Sequence, residues 1–307
     1  MEFVDMHEDI AFSSMREDII DKSGQSSINK LLTFDRATVF SVIFPHIVSL
    51  NEKPSILSEK YGFKQEATYP KFGIMMDQFK FYHFLERNYN VRIIKNFDDI
   101  KSGLNFLISM EGTDVLDQPD DLYILKDLGL RALGLTWNYD TKFAASCMSK
   151  KDYGLTGFGE ELIDIADKNH IIIDTAHASK KTIIEACSVS KNPIINSHSN
   201  VSKLKNHIRN LDDEEIKSIV DTDGIIGITA ITTTLEKQDI SAIIDNINYL
   251  GDNYGWRHVG IGTDFLGINS VPQGFENIEK LEYLKGNLGH YGDVFYKNAY
   301  RIMKKVL

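Results

Sequence analysis

A (β/α)8, TIM-type α/β barrel forming one domain over residues 1–307 is the fold this sequence predicts, on three observations. Eight short runs, rich in β-branched or aromatic residues, are apolar on both faces, as buried parallel strands are. Helical stripes lie between them, in a chain of a length that suits such a barrel. Side chains able to bind metal recur where an apolar run ends, as a binuclear metal site at the C-terminal ends of barrel strands requires. A doubly wound open sheet is the alternative, but its phosphate-binding fingerprint is missing. Gly154-x-x-Gly157-x-Gly159 has the wrong spacing and follows no strand.

In chain order, a strand near 2–6 runs into His7-Glu8-Asp9, and one near 38–44 into Pro45-His46. Gln25 to Ser27 and Ser55 to Tyr69 read as loops or insertions. The strand near 105–110 ends on Glu111, and that near 131–136 on Trp137-Asn138. Thr156 is placed to cap a helix whose stripe is Phe158, Leu162, Ile165 and Ala166. Strands near 171–176 and 193–197 end on His177 and His198. Asp212 with Glu215 makes a capping box for a helix carrying Ile216, Ile219 and Val220, and Gly224 is placed to end it. A strand near 225–230 follows, then a stripe of Ile240, Ile243, Ile244, Ile247 and Leu250. The strand near 258–263 ends on Asp264. Val294, Phe295, Ala299, Ile302, Met303 and Val306 form a closing amphipathic helix.

Hydrophobic content of 42% and charged content of 25% describe a globular chain with a real core. A net charge of −10, without a basic cluster, argues against a nucleic-acid surface. Two cysteines, Cys147 and Cys187, exclude a disulfide scaffold and suggest a reducing compartment. The sequence begins without the basic start and apolar stretch of a secretory signal, and no run approaches a membrane span. The expectation is a cytoplasmic protein with no membrane partner.

Alternate residues of a strand share a face, so His7 and Asp9 can bind one divalent ion together. His177 and His198 end consecutive strands, which lie about 4.8 Å apart, so both rings can reach a single metal. A carboxylate ending an apolar strand is costly to bury unpaired; Glu111 there can bridge two ions. Asp264, on the eighth strand, closes against the first and can pass a proton from a metal-bound water to a leaving amine. His46 reads as a structural histidine near the mouth, and His83, His170, His258 and His290 receive no role. No nucleophile elbow or Cys/His pair supports covalent catalysis.

Together and in this order, the motifs resemble the membrane (renal) dipeptidase family of zinc peptidases, over nearly the whole length. They are Asp5-Met-His7-Glu-Asp9, Met110-Glu111-Gly112, Gly154-Leu-Thr-Gly-Phe-Gly159, Ile173-Asp-Thr-Ala-His177-Ala-Ser179, Ile195-Asn-Ser-His198-Ser199 and Gly260-Ile-Gly-Thr-Asp264-Phe265. The resemblance implies that His7 and Asp9 hold one ion, His177 and His198 the other, and Glu111 both, with Asp264 as the acid/base. It also implies that Arg209 binds the substrate carboxylate, a bidentate task that suits a guanidinium. Two positions depart. Trp137 stands where the mammalian members have a substrate-contacting histidine, and Leu266 replaces a second aspartate. Trp137 can donate one N–H but cannot titrate.

The function expected is hydrolysis of the amide bond of a small dipeptide, with tolerance of a C-terminal D-residue, by a hydroxide bridging two divalent ions. Zinc is the default metal for this donor set. Glu111 and Asp264 are the catalytic residues of that reading, and Arg209, Asp264 and Trp137 the substrate contacts. Another small amide, an N-acyl amino acid, a lactam or an ester is the alternative within enzymes. A non-catalytic metal-binding protein is the alternative outside them. Self-association as a homodimer is left open.

Overall fold

The computed structural model describes residues 1–21, 24–46, 71–290 and 292–307; the insertion read at Ser55 to Tyr69 lies outside them. Eight parallel strands form a nearly closed barrel with helices between them. They are β1 (Glu2–Glu8), β2 (Arg36–Ile43), β4 (Gly103–Glu111), β5 (Leu130–Gly134), β6 (Ile172–Asp174), β7 (Ile195–Ser199), β8 (Ile225–Ile228) and β9 (Val259–Ile261), paired in that order. Each coincides with an expected strand. An additional strand, β3 (Val91–Ile93), pairs only with β4, off the barrel path. Its three residues are too short a run to stand out in sequence. The seam between β9 and β1 closes where Asp264 N–H donates to His7 O and Asp9 N–H to Phe265 O, each at 3.0 Å.

The helices used below are α1 (Ile10–Ser13), α2 (Ile28–Leu31), α3 (Lys71–Asn88), α4 (Asp121–Leu128), α5 (Gly157–Lys168), α6 (Lys180–Val189), α7 (Asp213–Asp221), α8 (Ile240–Tyr254), α9 (Leu281–Asn287) and α10 (Asn298–Val306). Thr156 caps α5, its hydroxyl accepting from Gly159 N–H, and Asp212 with Glu215 forms the expected capping box of α7. Phe158, however, is exposed on α5, and Ile163 takes its place in the core. Past α7 the left-handed residue is Asp223, not Gly224. Gly224 is needed for space instead, because a Cβ there would collide with Ile194 O. A π-helical turn, Asp293–Lys297, leads into α10.

The N-terminal end of the barrel is filled by Val4, Met6, Phe40, Leu107, Ala132, Ile172, Ile195 and Ile225, against Ile302, Met303 and Val306 of α10. β9 contributes no side chain to this layer. A Cβ on Gly260 would lie 2.8 Å from Ile225 Cδ1 and 2.9 Å from Met6 Sδ. With this end plugged, chemistry is left to the C-terminal mouth, where barrel sites are built.

Candidate metal centre

Strict alternation would aim the wrong residues inward. Val4 and Met6 face the interior, so Glu8 would follow and His7 would point out. Between Asp5 and Glu8, however, β1 advances three residues while β2 advances two, from Val39 to Ser41. This bulge turns His7 into the barrel and buries Glu8 beside Asp5 and Ser26. The same device recurs on β7. From Asn196 to Ser199 it advances three residues against two on β8, which turns His198 inward. Asp9 lies one residue beyond β1, at the N-cap of α1, so it meets His7 through a turn and not through a shared strand face. His177 and Asp264 hold left-handed backbone conformations at φ 62° and 59°. Such strain in non-glycine residues persists where the surroundings over-determine it, commonly at functional sites.

These devices bring the six expected residues together. Glu111 Oε1 lies 2.9 Å from His177 Nε2, 3.5 Å from His198 Nε2 and 3.8 Å from His7 Nε2. His7 Nε2 is 3.6 Å from Asp9 Oδ2 and 3.8 Å from Asp264 Oδ1. Three overlapping triads have ligand atoms mutually within 4.8 Å: His7, Asp9 and Glu111; Glu111, His177 and His198; His7, His198 and Asp264. A cation fits this cluster on chemical grounds. His7 Nε2 and Asp9 Oδ1 are buried without a hydrogen-bond partner, a costly condition that an ion removes. Nitrogen and carboxylate oxygen donors in this number suit divalent transition metals.

The imidazoles are oriented from behind. His177 Nδ1–H donates to Asn138 Oδ1 at 2.8 Å, leaving Nε2 to face Glu111. Ser197 Oγ lies 2.8 Å from His198 Nδ1 and 3.4 Å from His7 Nδ1. Asp5 accepts from Thr263 N–H at 2.9 Å and Thr263 Oγ1–H at 2.6 Å, fixing β9 to β1 just before Asp264. Sequence reasoning missed Asn138, Ser197 and Asp5 as supports; their adjacency to the motif residues was the available signal.

The electrostatics are those of buried, uncompensated negative charge. Burial lifts Glu111 well above the usual carboxylate range, only partly opposed by His7. Burial likewise lifts Asp264 to about 8 against the pull of His7. His7 is driven down by burial but up more strongly by Asp9, Glu111 and Asp264, reaching about 10. Burial holds His177 and His198 well below their ordinary value, assisted by the Arg209 guanidinium and by His7. His177 and His198 are thus neutral imidazoles, the state that metal ligation uses, whereas His7 is the ring that must give up its proton to a bound cation.

The cluster opens into a cavity of about 490 Å³ lined by Asp9, Phe12, Phe44, Glu111, Trp137, Asn138, Met148, His177, His207, Ile208, Arg209, Ile231, Thr233, Thr234, Asp264 and Gly267. Arg209, expected on a loop, reaches in from beyond β7, with Nη2–H donating to His198 O at 3.3 Å. Trp137 also lines the cavity. His46 does not: it is buried behind the wall, its Nε2 3.1 Å from Glu111 O.

The family model described as membrane dipeptidase (peptidase family M19) matches residues 1–306. An uncharacterized dipeptidase of Schizosaccharomyces pombe is 28% identical over 223 residues, 68% of this chain and 54% of that protein. Dipeptidase verJ of Clonostachys rogersoniana is 27% identical over 241 residues, 75% of this chain and 62% of that protein. The matches thus span between about half and three fifths of these relatives' length. In structure, the chain is similar to a metallo peptidase of Rhodobacter sphaeroides solved with a phosphinate mimic of the dipeptide L-Ala-D-Ala. The TM-score is 0.81 at 20% identity, over 100% of this chain and 99% of that one. The probable dipeptidase PvdM of Pseudomonas aeruginosa gives 0.81 at 17% identity, over 100% and 95%. At these identities both speak for the fold.

Proposed function

The chain belongs to the membrane dipeptidase family, peptidase family M19, and from that premise we propose that it is a metallo-dipeptidase acting on small dipeptides. One observation carries the reading: Glu111 Oε1 stands within 3.8 Å of all three inward-facing imidazoles, with Asp9 and Asp264 beside them. In it His7 and Asp9 would hold one divalent ion and His177 and His198 a second, with Glu111 serving as a ligand to both. Zinc is the first choice for such donors. When bound, the ions supply Lewis acidity and an activated water.

The chain's own groups do the rest. Asp264, held at the seam beside His7, accepts the proton of the attacking water and delivers it to the departing amine, as general acid–base groups do. Arg209 faces the cluster from the β7 side and takes the carboxylate one residue beyond the scissile amide. Trp137 supplies an apolar surface in place of a titrating group. The related Rhodobacter enzyme was solved with an L-Ala-D-Ala mimic, which makes a C-terminal D-residue a substrate feature to include here.

The test pairs metal analysis with a dipeptide panel containing L-L and L-D members. About two divalent ions per chain, and activity lost on chelation and restored by metal, are expected. No more than trace zinc, manganese or cobalt after reconstitution overturns the site. Arg209→Met should raise KM about tenfold or more for free carboxylates, a charge-assisted bond contributing roughly 1.5–3 kcal/mol. It should do far less for C-terminal amides; equal effects remove Arg209 from that role.

A further inference from the structure

Aromatic side chains gather at one part of the cavity lining and polar ones at another. Phe12 follows β1, Phe44 follows β2 and Trp137 follows β5. Their rings meet edge to face, with centroids 5.2 Å apart for Phe12–Phe44 and 5.1 Å for Phe44–Trp137. His207, Arg209, Thr233 and Thr234 line the other part, beyond β7 and β8. In the eight-strand order β2 stands four places from β7, directly across the barrel mouth. Phe44, which touches both other rings of the wall, therefore faces Arg209 across the metal cluster, while Trp137 carries the wall to within two strands of β7.

The wall is braced in place. Gln78 of α3 binds both backbone groups of Phe44, accepting from N–H at 2.7 Å and donating to O at 2.8 Å. The buried His46 ring packs behind Phe44 and Trp137, with centroids at 4.9 and 5.0 Å. The apolar surface continues outward to the rim. Tyr139, packed edge-on to Trp137 at 5.4 Å, is 43% exposed, and the cavity-lining Met148, which shares a surface pocket with Tyr139, is 52% exposed. Exposed apolar groups gathered at a cavity mouth mark a binding surface.

We propose that the substrate residue on the acyl side of the scissile amide carries a large apolar, preferably aromatic, side chain that packs on Phe12, Phe44 and Trp137. The orientation rests on the dipeptidase reading above, with the carboxylate on Arg209. The acyl residue then extends across the metal cluster to the wall, and the residue beyond the amide stays on the Arg209 side, where the exposed Thr233 offers a polar contact.

The experiment compares kcat/KM of the metal-loaded protein for phenylalanyl-alanine, glycyl-alanine and the reversed alanyl-phenylalanine. Phenylalanyl-alanine should exceed glycyl-alanine by about tenfold to hundredfold, the range expected from burying an aromatic side chain, and should exceed its reverse. Phe44→Ala should collapse the first ratio. Because Phe44 is buried, Tyr139→Ser with Met148→Ser provides a second variant at exposed positions, which should narrow the ratio severalfold. In parallel, calorimetry measures Kd for non-hydrolysable phosphinate analogues of phenylalanyl-alanine and glycyl-alanine. Tighter binding of the aromatic analogue without hydrolysis of any dipeptide would uphold the wall and overturn the dipeptidase reading. Equal kcat/KM and equal Kd for the pair overturn the wall.

Discussion

Gly262→Ala tests whether the β7 bulge positions His198. The bulge carries the Ser197 carbonyl towards its neighbours, and two glycines receive it: Gly227 on β8 and Gly262 just beyond β9. A Cβ on either would approach Ser197 O closer than 3.0 Å, a separation that real side chains essentially never show, while ordinary contact begins at 3.4 Å. At Gly262 the intruding Cβ meets backbone on β7, which cannot rotate away. The carbonyl must retreat by more than about 1 Å, carrying His198 with it, and displacement of about 1 Å at a site can cost ~10²-fold in rate. Overpacking itself costs about 1–3 kcal/mol, less than the stability of an ordinary domain, so the variant should still fold. The assay is metal content by elemental analysis, turnover, and far-ultraviolet circular dichroism. Expected are retained secondary structure, loss of about one ion per chain and a fall in kcat/KM of about 10² or more. Gly289→Ala, where a Cβ meets nothing within 4 Å, serves as the control. Full metal content and undiminished turnover in Gly262→Ala would refute the role of the bulge.

Two further outcomes concern proton-binding groups. Asp264→Asn should keep its metal yet lose about 10²–10⁴-fold in kcat, since an amide cannot shuttle the proton; wild-type turnover at saturating metal would remove Asp264 from the proton path. Glu215, in the capping box of α7, is raised by burial from 4.5 to about 7, partly opposed by the Asp212 N–H that it accepts. The native state therefore binds this proton more tightly than the unfolded chain. The stability it contributes is complete below about pH 4.5 and is lost as pH rises through about 7, by about 3 kcal/mol. Glu215→Gln should accordingly gain on wild type by that amount between pH 5 and 8 in urea unfolding, and a difference that is flat with pH would contradict the assignment.

The barrel was legible because each strand is an apolar run that stops at a polar residue, a pattern that survives without knowing how the strands pair. The grouping of His7, Asp9, Glu111, His177, His198 and Asp264 followed from the same punctuation. What the pattern could not contain was the route by which they meet. Period-two reasoning aims Glu8 and Ser199 into the barrel, and only the pairing registers of β1 and β7 reveal the bulges that substitute His7 and His198. The left-handed backbone at His177 and Asp264 was equally hidden: Asp and His adopt it more often than most residues, yet too rarely for a sequence to mark which ones do. The aromatic wall was read only at Trp137. Phe12 and Phe44 look like ordinary core residues until the ends of β1, β2 and β5 are brought side by side.

The seam between β9 and β1 bears on how the protein assembles. Thr263 and Asp5, hydrogen-bonded across it, are 258 positions apart, so the contact that completes the ring is among the most distant the chain can make. Contacts of such long range are entropically expensive to form and slow to find. In the proposed ligand set, one ion draws on His7 and Asp9 while Glu111 ties it to the middle of the chain. The ions would therefore act as hoops on staves, binding the closed ring and not its precursors. By mass action, metal at a hundred times its Kd would add about 2.7 kcal/mol to the closed state. None of those ligands lies on β9. The gain would come from holding β1 against β4, β6 and β7, the curvature that lets β9 meet β1, and would show mainly as slower unfolding.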